Sequence, residues 1–388
     1  MKFISLGKLE KKFLIPIIGG IHRLLFTFLN KKNPKYNIFS KNPFIASSYS
    51  SIGMILAFIP YLIIKHRSKK SSINSNELQE KSKLKLELIH TPLLYNITFN
   101  KYKYFLYQEI FDLLQTLSFT FFSMNTIYSF WTFDIIFISI FSYLLLKTKL
   151  YMHQYISIIT IIIMGLLLNV IEYFKQSDNA NKLDLIEILL NLFCEMCLSI
   201  LMVIAKYNME TTFCSPYEIC IWNGLIGLVI YIIILLIINH LELEIAGIKH
   251  PDNFYELFDN YDIYDFLLCL SFVVGQAIYN IVLFVTCDYF TPYHILIFAI
   301  FKESYNSFTL EGNTALNFLT FFILIIIAFM FLIFIEIIEL NICNISYNTK
   351  KNIELRSLTL ANKEIRTMSK INDEISVVVD DDDEITNI

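Results

Sequence analysis

The sequence predicts an all-α polytopic membrane protein with ten transmembrane helices arranged as two inverted five-helix repeats. Three observations predict it. The 388-residue chain is 55% hydrophobic and only 17% charged, with a mean hydropathy of +0.55, whereas a soluble domain carries roughly 25% charge. Apolar segments of about 20 residues, the length that spans a hydrocarbon core, recur ten times along the chain. An eight-residue pattern also recurs at the same place in each half.

The first five segments lie near 10–29, 44–64, 104–122, 127–146 and 151–173, and the second five near 184–205, 217–239, 265–286, 291–309 and 317–338. The first is the shortest, and it contains Gly19, Gly20, His22 and Arg23. It reads either as a crossing or as an amphipathic helix lying in the interface, which would leave nine crossings. It carries no convincing cleavage site for a signal peptide. Very short turns join the third segment to the fourth and the eighth to the ninth, which makes each pair antiparallel neighbours. Pro292 suits the start of the ninth, where its missing N–H does no harm.

Loop charge favours ten crossings. Residues 65–103 hold nine Lys or Arg against three Glu, which places this loop in the cytosol by the positive-inside bias. Residues 239–265 hold one Lys against seven acids, as suits the opposite side. The basic turn with Lys31, Lys32, Lys35 and Lys41 runs against this topology. Both termini are then cytosolic, as are the sequons at Asn96 and Asn344. The polar tail lacks an apolar face and ends in Asp380 to Glu384, the composition of a disordered cytosolic segment. The expected organisation is a first repeat over 1–173, a second over 174–346, and a tail over 347–388.

Several function classes are excluded or disfavoured. A net charge of −4 without a basic face gives no support for nucleic acid as a partner. The seven cysteines are scattered, and the close pair Cys194 and Cys197 lacks a second pair or histidine at zinc spacing. There is no Walker loop, no Gly-x-Gly-x-x-Gly and no His-Glu-x-x-His. The chain therefore reads as neither an enzyme nor a cofactor or metal protein.

The repeated pattern is Asp134-Ile-Ile-Phe-Ile-Ser-Ile-Phe141 in the fourth segment and His294-Ile-Leu-Ile-Phe-Ala-Ile-Phe301 in the ninth. Each occupies the fourth segment of a five-segment half. Five crossings is an odd number, so the two halves insert with opposite orientation, the arrangement that underlies alternating access. Together with the stretch from Lys206 through Ser215-Pro-Tyr-Glu-Ile-Cys-Ile-Trp-Asn-Gly224 to Gly227, and that from Thr291 to Lys302, these residues carry a resemblance. The sequence resembles the drug/metabolite transporter superfamily (EamA-like), and within it solute carrier family 35, particularly its F-type members, over most of residues 10–340. The resemblance implies ten helices in two inverted repeats and a solute carried or exchanged across an internal membrane such as Golgi, endoplasmic reticulum or lysosome. Nucleotide-sugar carriers of the family bear Phe-Tyr-Asn-Asn and Gly-Ala-Leu-Asn-Lys motifs. Here Asn223, Ala299 and Lys302 match and Trp222 keeps an aromatic ring, while Gly224, Phe298 and Phe301 depart. The substrate class implied is a polar or anionic small metabolite, nucleotide-sugar-like.

Ionisable groups within apolar segments are costly, roughly 2.5–3.5 kcal/mol at a helix centre, so each needs an explanation. Lys302 either faces a phosphate or carboxylate of the solute or pairs with Glu195 or Glu303. Lys302 and Glu303 are adjacent, about 100° apart round a helix, and do not naturally face one another. Glu195 continues a stripe of Glu187, Asn191 and Ser199 spaced four apart. It is the coupling candidate as a proton carrier, with a salt bridge as the alternative. Gln108, Asp112 and Gln115 share one face, as do Gln276 and Asn280. These stripes line an aqueous cavity or act as interhelical glue. Asp134 and His294 hold equivalent positions in the two octads, either at the interface or against solute. Arg23 is the cation of the first half, facing solute or snorkelling. The expected partners are a small-molecule solute and the lipid bilayer, with a homodimer also admitted. The competing class is a non-transporting multi-pass receptor or structural membrane protein.

Overall fold

Each of the ten apolar segments carries helix in the computed structural model, which describes residues 4–6, 14–32, 43–73, 99–121, 130–175, 185–241, 263–309 and 314–340. Most of the basic loop and of the acidic loop, both sequons and the tail lie outside these residues. The helices are α1 (Leu14–Lys32), α2 (Pro43–Ile55), α3 (Phe58–Ile73), α4 (Phe99–Phe121), α5 (Asp134–Leu145) and α6 (Met152–Lys175). They continue as α7 (Leu185–Thr212), α8 (Pro216–Leu241), α9 (Ile263–Tyr289), α10 (Leu296–Thr309) and α11 (Thr314–Phe334). Short 3-10 turns at Trp131–Phe133 and Pro292–Ile295 lead into α5 and α10.

Among the described residues six helical stretches are long and apolar enough to cross a bilayer: Phe44–His66, Met152–Ile171, Ile188–Thr212, Pro216–Ile237, Phe266–Tyr289 and Ala315–Phe334. Leu14–Leu25 and Trp131–Leu145 are shorter apolar helices. The remaining two, α4 and α10, carry acids and bases within them. Large apolar side chains face outward, among them Ile159, Ile163 and Leu166 on α6 and Phe318, Phe322 and Ile325 on α11. Hydrocarbon suits such a surface and water does not. Helices satisfy their own backbone groups, as a bilayer demands. The chain is an all-α, multi-pass integral membrane protein.

The second apolar segment differs from expectation in being two helices. Pro60 explains the break. Its ring crowds the carbonyl four residues back, that of Leu56, and it offers no N–H to that carbonyl. The helix accordingly tightens there, with Leu56 N donating to Gly53 O (3.1 Å), Ala57 N to Met54 O (3.0 Å) and Ile59 N to Leu56 O (3.0 Å).

The chain divides into two compact units. One comprises residues 1–8, 150–157 and 331–388, and the other 9–149 and 158–330. In the first, strand β1 (Ile4–Leu6) pairs antiparallel with β2 (Ile338–Leu340), Ile4 opposite Leu340. Gln154 Nε2 donates to the carbonyl of Phe334 (3.3 Å), and His153 Nε2 lies 3.3 Å from Glu336 Oε1.

In the second unit α2 is a hub, packed by α8, α9 and α4. Small residues permit this closeness, as they do between membrane helices generally. A Cβ on Gly224 would lie 2.6 Å from the Ser51 carbonyl, and one on Gly53 2.7 Å from the Val273 carbonyl. Phe44, Ile45, Tyr231 and Leu235 form a core cluster with Leu113 and Leu117 around it. The other packed pairs are α4 with α7 and α8, α5 with α7, α1 with α10 and α9, α7 with α9, and α8 with α9 and α3. The short eighth-to-ninth connection was expected to make packed neighbours. Instead α9 touches the 292–295 turn, which redirects the chain, and the main partner of α10 is α1. There Gly19 and Gly20 lie under the rings of Phe298 and Phe301.

Candidate functional site

Asp134 opens α5 directly after the 3-10 turn, and its backbone N–H donates to the Trp131 carbonyl. Its side chain is buried. Ser199 of α7 donates its hydroxyl to Asp134 Oδ1 at 3.1 Å. Glu195, one turn earlier on the same face of α7, is the carboxyl that neighbours Asp134. Glu195 is also within electrostatic reach of Lys302, Glu303 and Arg23. The cluster thus draws on α1, α5, α7 and α10, with both signs of charge represented.

Lys302 and Glu303 meet despite their adjacent positions. Nζ lies 3.2 Å from Oε1. Both side chains are long and at least partly exposed, so they curl toward one another across the helix surface, contrary to the angular argument from sequence. Arg23 stands over the Tyr279 ring, 5.0 Å from its centroid, a cation–π contact. His22 stacks on the same ring at 6.4 Å. His22, Arg23, Gly275, Gln276 and Tyr279 line one crevice, which admits no water-sized sphere.

The other residues singled out in the sequence are dispersed. Asn280 donates Nδ2 to Ser50 Oγ at 3.2 Å, bridging α9 and α2. Gln115 presents its backbone carbonyl to the Cys194 thiol at 4.0 Å. Trp222 stacks on Phe105 (6.4 Å between centroids) and meets Tyr102 edge-on (5.4 Å), tying α8 to α4. Asn223 is buried with Oδ1 unbonded. Ala299 lies half-buried on α10. His294 closes the 3-10 turn, where Nδ1 is 3.0 Å from the Thr291 hydroxyl and the ring stacks on Phe290 at 4.7 Å. Its equivalence to Asp134 in sequence therefore does not extend to its bonding.

A second polar cluster, at the junction of α2, α4 and α8, was only half visible in the sequence. Tyr231 Oη donates to Asp112 Oδ2 at 2.5 Å and lies 3.1 Å from Thr116 Oγ1, which in turn is 3.0 Å from Ser47 Oγ. Beside them Gln108 and Glu109 are 0% and 3% exposed. Neither amide atom of Gln108 has a hydrogen-bond partner, and neither does Glu109 Oε2. The Gln108, Asp112 and Gln115 stripe pointed to this face, but Glu109 sits about 100° off it and drew no notice. The tyrosine hydroxyl in the middle of an otherwise apolar α8 was the signal that could have revealed the partner.

No protein-family model matches this chain, and no curated protein matches its sequence.

Proposed function

We propose that the chain is a secondary transporter working by alternating access between two inverted five-helix repeats, α1–α6 and α7–α11. Its solute site gathers around Arg23, Asp134, Glu195 and Lys302. The observation that carries this reading is the pattern of packed helices. Exchange each apolar segment with its counterpart five segments later, so that α1 trades with α7, α2 with α8, α4 with α9 and α5 with α10. The pair α1·α10 then becomes α7·α5, α4·α7 becomes α9·α1, α2·α9 becomes α8·α4, and α8·α9 becomes α2·α4, while α2·α8 maps onto itself. All of these pairs are packed, and α7·α9, whose counterpart would be α1·α4, is the packed pair that falls outside the relation. In addition, a 3-10 turn precedes both α5 and α10. Such an exchange relation is what inverted repeats produce, with substrate held between them.

The β1–β2 ladder supports ten crossings over nine. Paired strands share one side of the bilayer, so the number of crossings between Leu6 and Ile338 is even. A crossing α1 satisfies this count, whereas an interfacial α1 leaves nine. Protease protection of tags fused at the two ends is expected to place both on one side, and opposite sides would defeat the ten-helix reading.

The solute we assign is a small polar or anionic metabolite, in keeping with the resemblance to solute carrier family 35, and the membrane is an internal one. A thermal-shift screen of the purified chain against nucleotide sugars, nucleotides and small organic anions identifies the class, and counterflow in proteoliposomes tests carriage. Lys302→Ala removes one charge-assisted bond to an anion, worth roughly 1.5–3 kcal/mol, or roughly ten- to hundredfold in half-saturating concentration. An unchanged half-saturation would remove Lys302 from the site.

A further inference from the structure

The Glu109–Asp112 cluster is separate from the solute site and has a charge balance of its own to explain. Glu109 is 3% exposed, within the apolar stretch of α4, and its Oε2 accepts no hydrogen bond. That oxygen lies 2.5 Å from where a Gly227 Cβ would stand, and Ser51 Oγ lies 2.8 Å from the same point. It therefore points into the contact between α4, α8 and α2. Asp112 follows one turn later, held by Tyr231. Gln108, wholly buried, leaves both its amide atoms unbonded. The titratable groups facing Glu109 are Asp112 on its own helix and Tyr231 on α8. The Ser51 hydroxyl of α2, on the same side of Gly227, donates to the Ser47 carbonyl, and Glu195, Lys206 and Glu210 of the packed α7 are not among the electrostatic neighbours of Glu109.

Among the described residues no Lys, Arg or His balances these two acids. A bare carboxylate in such a place costs several kcal/mol, and orphaned buried polar atoms call for a missing partner. The contact is tight, with glycine and serine against the carboxyl oxygen. A proton needs no room, whereas a metal cation needs a shell of six or so oxygens. We infer that Glu109 and Asp112 form a proton-binding site, loaded and unloaded as α2, α4 and α8 shift against one another, and so the coupling site of the carrier. This inference rests on the transporter reading for its purpose, though not for its chemistry. The site binds one proton on a carboxyl oxygen of the pair, with Tyr231 as the hydroxyl that orients Asp112 and Thr116 next in line on the tyrosine hydroxyl.

The test is infrared spectroscopy of the full chain in phosphatidylcholine liposomes, with pH as the only variable. Wild type is expected to show a protonated-carboxyl C=O band that vanishes on alkalinisation and shifts in D2O. Glu109→Gln is expected to lose that band, Glu109→Asp to keep it at a displaced position, and Glu195→Gln to retain it. Tyr231→Phe, which alters only the hydroxyl on Asp112, is expected to move the pH at which the band disappears. A titrating band that survives Glu109→Gln would overturn the assignment. So would a wild-type band that never titrates, since that marks a fixed structural acid, or a Tyr231→Phe band that stays in place. The assay needs no solute, so its failure leaves the carrier reading standing, and a failure of counterflow leaves the proton site standing.

Discussion

Two pairs of carboxyl groups sit where helices meet in this chain, with Asp134 and Glu109 the buried member of each, and their neighbours differ. Asp134 takes a hydrogen bond from Ser199, and Glu195 beside it has Lys302 and Arg23 within electrostatic reach. Glu109 and Asp112 have hydroxyls, an amide and each other. The first pair carries its counter-charge within the protein, on α1 and α10. The second has to draw it from outside the chain. Residue type alone would give both pairs the same role. The surroundings assign one to a charged solute and the other to a proton.

The sharpest way to break the comparison is Tyr231→Ala. Tyr231 is 1% exposed, packs with Phe44, Ile45 and Leu235, and supplies the hydroxyl on Asp112. Truncation leaves a cavity and a second unbonded acid together, at a cost of roughly 3–5 kcal/mol for the lost ring alone. A melt of the purified variant in detergent is expected to show this as the largest destabilisation of the set. Tyr231→Phe keeps the ring and removes only the hydroxyl, so its cost is smaller, at most about 1.7 kcal/mol on the scale of membrane interhelical bonds. If the two variants melted together, the ring would contribute nothing and the hydroxyl would account for the whole role of Tyr231.

How much of this was legible in the sequence depends on what each feature needs. Apolar segments need only composition, so the ten stretches that carry helix are legible in it. The α2–α3 break was written in Pro60, but a hydropathy window averages over a single proline. The Asp134–Ser199 bond was out of reach, because it joins residues 65 apart in sequence and depends on α5 packing against α7. The same holds for Trp222, whose place on Phe105 depends on how α8 rotates about its axis. Glu109 was missed because one face was taken as the buried one. Helix α4 is flanked by α2, α7 and α8, so its buried arc is wider than a single stripe of residues.

The smallest expected effect belongs to Ser199→Ala, and it measures how far the first pair depends on hydroxyl donors. Removing that hydroxyl takes away the 3.1 Å bond to Asp134 but leaves the cations near Glu195 in place. The first pair therefore keeps its counter-charge, whereas Asp112 in Tyr231→Phe loses the hydroxyl that holds it. The cost should be near the membrane average of about 0.6 kcal/mol, below that of Tyr231→Phe in the same detergent melt. A larger loss from Ser199→Ala than from Tyr231→Phe would invert the comparison. The Asp134–Glu195 pair would then be the one held by neutral donors, and its cations would be too distant to serve as counter-charge.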